Sequence, residues 1–189
     1  MKRRKPQIIV DESPMSLAEL INFEFDLQRS IAIHGRAEEF EIILVLFPFH
    51  YVLKMDELSE QELVNHLHHD SIGRTALPPL WYSEFCTFCK NHSEEKCVLL
   101  VYGVTRCEWD KQVIMNPVAL DHSAHDGPML KPLPTNSSVI FFVETKDMTQ
   151  SGYYNLTGQL AGRLTHIYMR DWKTLDNAPI LDAYAMYKV

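Results

Sequence analysis

The side chains best suited to chemistry in this chain are its 4 cysteines and 9 histidines. Most of them fall into three clusters. The first is Cys86-x-x-Cys89-x-x-His92-x4-Cys97. Thiolate and imidazole together suit zinc, a borderline-soft ion that prefers tetrahedral coordination. The spacing departs from the common zinc motifs, because no second tight cysteine pair follows and Cys107 lies ten residues beyond Cys97. The plainer reading makes Cys86 and Cys89 small core hydrophobes on a helix beside Phe85 and Phe88. A redox Cys-x-x-Cys is a third reading. It requires the first cysteine at a helix N-terminus, where the thiol pKa is depressed, and Cys86 falls in mid-helix.

The second cluster is His66-Leu67-His68-His69-Asp70. On a helix, His66, His69 and Asp70 share one face and could hold zinc or iron. On a strand, His66 and His68 would project together. The plain alternative is a solvated face near a helix C-terminus, where imidazoles suit the dipole. The third cluster is Asp121-His122-Ser123-Ala124-His125-Asp126-Gly127. A metal-dependent hydrolase or nuclease could use His122, His125 and Asp126, with Asp121 orienting an imidazole. A thiol hydrolase would pair Cys86 or Cys89 with His122 or His125 and an aspartate. A polar surface loop is the plain alternative. No glycine-rich phosphate loop, Gly-x-Ser-x-Gly or His-Glu-x-x-His is present, so nucleotide and common serine-hydrolase chemistry have no support in the sequence.

These residues need a scaffold. Gln7–Val10 has strand character, and Ser16 with Glu19 forms capping-box spacing. Apolar residues at helical intervals predict a helix over 16–33, with His34-Gly35 as its stop. The run Phe40–Phe47, nearly unbroken and apolar, predicts a central strand, and 49–55 a second. A capping box at Ser59–Glu62 opens a helix to His69. Pro79 starts another helix, running to Asn91 with Trp81, Phe85, Phe88 and His92 on one stripe. Cys97–Tyr102 is a buried strand, Gly103 a turn, and Val104–Trp109 its expected hairpin partner, with 112–115 extending the sheet. Residues 116–137 hold four prolines and a glycine, which predicts a long irregular loop, and loops of that length are often functional. A strand over 138–144, a glycine-weakened helix over 149–172 and a strand over 179–189 complete the chain.

The fold class expected is therefore α+β, in a single domain. It would hold a mixed or mainly antiparallel sheet of about five to seven strands packed with three to four helices. Residues 1–6 form a basic flexible tail ahead of one globular domain over 7–189. The chain has 189 residues and 46% hydrophobic composition, enough for a full core. The apolar Ile8-Ile9-Val10 is stopped by Asp11-Glu12, so no signal peptide is expected, nor any membrane span. Three Asn-x-Ser/Thr triplets, at Asn91, Asn136 and Asn155, then carry no sugar. The cysteines are expected as thiols in a reducing, cytoplasmic setting.

Charge is strongly segregated. Residues 1–5 carry four positive charges, residues 6–70 carry 13 acidic and 3 basic side chains, and residues 71–189 are nearly balanced. An acidic surface disfavours direct nucleic-acid binding and suits a protein partner with a basic surface. The leading expectation is a non-catalytic interaction or regulatory protein, with Glu38, Glu39 and Glu41 at the contact and no cofactor. The rivals are a metal-dependent hydrolase on the 121–126 loop and a small zinc-stabilised module around Cys86–Cys107.

Overall fold

The computed structural model of the chain describes residues 17–58, 80–126, 129–144 and 156–169. Its centre is a five-stranded sheet of β1 (Ile31–Gly35), β2 (His50–Lys54), β3 (Cys97–Tyr102), β6 (Ser137–Glu144) and β7 (Thr165–Tyr168). The strand order is β2-β3-β6-β1-β7, and every neighbouring pair is parallel. A separate antiparallel ribbon joins β4 (Ser123–Asp126) to β5 (Met129–Pro132). Helices are α1 (Leu17–Asp26), α2 (Phe40–Leu46), α3 (Leu80–Asn91), α4 (Trp109–Gln112), α5 (Asn116–Asp121) and α6 (Gly158–Ala161).

Helices and strands are mixed, as expected, but a mainly antiparallel sheet is not what forms. Parallel strands need crossovers, not tight turns, and the sequence supplies them in two places read as strands. Phe40–Phe47 is helix α2, not a central strand. A short apolar run has no periodicity that separates buried helix from buried strand. What distinguishes this one is its entry: the 3-10 turn Ala37–Glu39 leads straight into α2, and Glu38, Glu39 and Glu41 stand at the positive end of the helix dipole. Val104–Trp109 is likewise no hairpin partner. Gly103, at φ 75°, turns the chain out of the sheet into a 3-10 turn over Val104–Arg106. Residues 109–121 are helical throughout.

The expected 16–33 helix stops at Asp26. Gln28 takes a left-handed conformation, φ 54°, and the chain restarts as β1, all five of whose residues are buried. His34-Gly35 therefore ends a strand, not a helix. Ile31 is in phase with both patterns, which is why helical spacing alone overran the boundary. Gln28 is exposed, so its side chain contributes little to set against the left-handed strain. Gln28→Gly is expected to raise the unfolding free energy by about 0.5–1 kcal/mol, measurable by urea titration.

The 116–137 stretch is regular for most of its described length. Pro117 sits in the first turn of α5, where a missing N–H costs nothing, and Pro132 ends β5 on its exposed side. Of the expected 149–172 helix, the described part holds only the single turn α6, capped by Thr157, whose hydroxyl oxygen accepts the Leu160 N–H at 3.2 Å. β7 follows. The expected elements at 7–10, 59–69 and 179–189 lie outside the described residues.

Both faces of the sheet are covered, which accounts for strands that read as unbroken apolar runs. Ile31, Ile33, Val98, Leu100, Ile140 and Phe142 meet α1 and α2 on one face. Ala32, Leu99, Val101, Val139, Phe141 and Val143 meet α3, α5 and α6 on the other. No described helix is long and apolar enough to cross a membrane.

Candidate functional site

A parallel sheet of this kind offers ligands one preferred place. It is the crevice outside the carboxyl ends of two adjacent strands whose connections leave in opposite directions. Here β1 connects toward β2 at one edge, and β6 connects toward β7 at the other. The two strands are neighbours, with Gly35 opposite Glu144. The 3-10 turn and α2 begin just beyond β1, so their orphan N–H groups and positive dipole end lie where an anionic ligand could bind.

That place is occupied by the protein's own charges. The Glu39 side chain is 3% exposed, and its Oε2 accepts the backbone N–H of Arg36 at 2.8 Å. Gly35 lets this carboxylate come close, since a Cβ there would sit 2.9 Å from Glu39 Oε2. Arg36 pairs with Glu38 at 3.1 Å and Glu39 at 3.5 Å. Along the same rim, Arg106 bridges three strand ends. Its Nη1 donates to Asp56 Oδ2 at 3.0 Å, and its Nη2 donates to the Tyr102 hydroxyl at 2.9 Å and to Glu144 Oε2. The Tyr102 hydroxyl in turn donates to Glu144 Oε2 at 3.2 Å, and the guanidinium lies over the Tyr102 ring. Partial burial, and next the Glu144 carboxylate, push the Tyr102 phenol up.

The rim is thus two arginines against Asp56, Glu38, Glu39 and Glu144, each cation engaged by carboxylates. Arg106 is 45% exposed, so its ion pairs are worth less than buried ones. Arg106→Ala would leave Asp56 and Glu144 without their shared cation and is expected to cost about 1–2 kcal/mol. Arg106→Lys should recover less than half of that, because an ammonium lacks the planar fork. Urea unfolding of the two variants checks both values.

A second polar group lies inside the sheet. His34 on β1 and His166 on β7 are 2% and 1% exposed. His34 Nε2 and His166 Nδ1 are 2.7 Å apart, and His166 Nε2 is 2.9 Å from the Ala161 carbonyl. A carbonyl can only accept, so Nε2 of His166 carries the proton. Its Nδ1 then accepts from His34 Nε2–H. The Tyr168 ring stacks on His34 at 4.4 Å between centroids. Burial holds His166 below the usual imidazole value.

The four proposed catalytic residues stand on two consecutive elements, the end of α5 and β4. Asp121 ends α5 and is exposed. His122 follows it in a left-handed conformation, φ 45°, and turns inward, where its Nε2 meets Ser30 Oγ at 3.1 Å. His125 and Asp126 stand on β4 opposite Leu130 and Met129, about 10 Å along the extended chain from His122. The serine next to His122 could not have been found by spacing, since 92 residues separate the two. The pair is a poor nucleophile and base. Ser30 is 2% exposed and its hydroxyl donates to the Val118 carbonyl at 3.4 Å. That leaves His122 Nε2–H as the donor to Ser30. Burial alone lowers the His122 pKa.

The proposed metal residues share a neighbourhood but point to different partners. Cys86 is half-buried on α3 and Cys89 is buried one turn on. Cys97 opens β3 beside Cys89. Burial, and secondarily Cys97, push the Cys89 thiol up to about 12. Cys97 Sγ is 3.8 Å from the His92 carbonyl, and His92 Nδ1 donates to the Phe88 carbonyl at 2.9 Å. The Asn136 amide joins this group, reaching the carbonyls of Cys89, His92 and Glu95 within 3.2 Å. It anchors the end of α3 to the start of β6, work that leaves no amide for a glycan. Among the described residues no three His, Cys, Asp or Glu side chains are placed to hold a metal ion. His66, His68, His69 and Asp70 lie outside the described residues.

Of the acidic residues assigned to a partner, Glu38 and Glu41 are exposed, whereas Glu39 is buried against its own backbone. No protein-family model matches the chain, and no curated protein is similar enough to count as a relative. Its class is the one the fold defines: a parallel sheet with helices on both faces and ion pairs along its described carboxyl ends.

Proposed function

We propose that this chain is a non-catalytic protein-interaction module, working through its outer acidic surface and binding a partner with a basic surface. The observation that carries this reading is the self-neutralised switch point. Glu39 takes the seat an anion would use, and Arg106, the cation that could attract one, is already held by Asp56 and Glu144. On α1 and the stretch 36–46 the exposed acidic side chains are Glu19, Asp26, Glu38 and Glu41, with the half-buried Arg29 and Arg36 beside them. Glu38 and Glu41 are the exposed carboxylates at the head of α2.

The reading is tested by affinity capture at low and high salt, using the wild-type chain and a Glu38→Lys/Glu41→Lys variant. The wild type is expected to retain a partner at about 50 mM salt and release most of it by about 300 mM, as screened surface charges require. The variant should retain at least tenfold less. Equal capture by both, or retention unaffected by salt, would contradict the acidic docking surface.

A further inference from the structure

We draw no further inference here: the strongest candidate, the exposed apolar side chains of Trp109, Val113 and Leu120 along the helical residues 109–121, carries nothing because nothing in the structure shows what covers it.

Discussion

Between pH 7.5 and 5.5 the unfolding free energy of this chain is expected to fall through two histidines, by no more than about 1.4 kcal/mol for each. His122 and His166 are both held below their ordinary value of 6.5 by burial. The unfolded chain therefore binds two protons that the folded chain resists, and stability must drop as pH falls. Their contribution is complete above about 6.5 and is lost as pH descends toward the folded values. Each group contributes a slope of at most about 1.4 kcal/mol per pH unit. For His166 the geometry gives the reason. Its Nε2–H is committed to the Ala161 carbonyl, and its Nδ1 accepts from His34 at 2.7 Å. A proton on Nδ1 would oppose the proton on His34 Nε2, so His34 would have to change tautomer before it could accept. Urea titrations at pH 7.5, 6.5 and 5.5 measure the slope. His166→Asn should reduce it by up to one proton's worth, and His122→Asn by a similar amount. A slope unchanged in either variant would show that the corresponding imidazole titrates freely.

Replacing Gly103 with alanine is expected to lower the unfolding free energy by about 2–4 kcal/mol. The residue lies at φ 75°, which costs a residue with a Cβ about 1–2 kcal/mol. The added Cβ would also run into the Asp56 carboxylate, so the carboxylate must leave, and its ion pair with Arg106 leaves with it. The two costs separate in a double-mutant cycle. With Asp56→Ala already present, only the backbone cost remains, and Gly103→Ala should cost roughly half as much. Equal losses in both backgrounds would mean that Asp56 is free to move and does not hold the rim together.

These two sites show what was legible in the sequence and what was not. Gly103 was readable as a turn, because glycine after a buried apolar strand is a local signal. That the turn leaves the sheet was not, since β3 finds its partners β2 and β6 far along the chain. The strands at 50–54, 97–102 and 137–144 and the helix at 80–91 were legible from runs and stripes of five or more residues. Phe40–Phe47 was misread because a short apolar run fits a buried strand and a buried crossover helix alike. Only the parallel order of β1 and β2 decides between them. The histidine clusters drew attention through closeness in sequence, yet the structure joins His122 to Ser30 and His34 to His166, separations of 92 and 132 residues. Of the acidic residues, composition located Glu38, Glu39 and Glu41 together, but it could not tell that Glu39 turns inward.

Glu39 and Arg106 also link the fold to the proposed role. At the head of the 3-10 turn and α2, Glu39 turns back onto the Arg36 N–H, while Glu41 and Val45 on the same helix stay exposed.

The account turns on the self-neutralised switch point, and thermal unfolding against a ligand panel tests it most directly. A crevice ligand with a dissociation constant of about 10 μM, supplied at about 1 mM, would add about 2.7 kcal/mol, or roughly 5–10 °C in melting temperature. The wild-type chain is predicted to shift by less than about 1 °C with magnesium–nucleotides, inorganic phosphate or dinucleotides. A shift of several degrees with any of them, abolished by Arg106→Ala, would contradict the account and return the carboxyl-end crevice to the role of a ligand site.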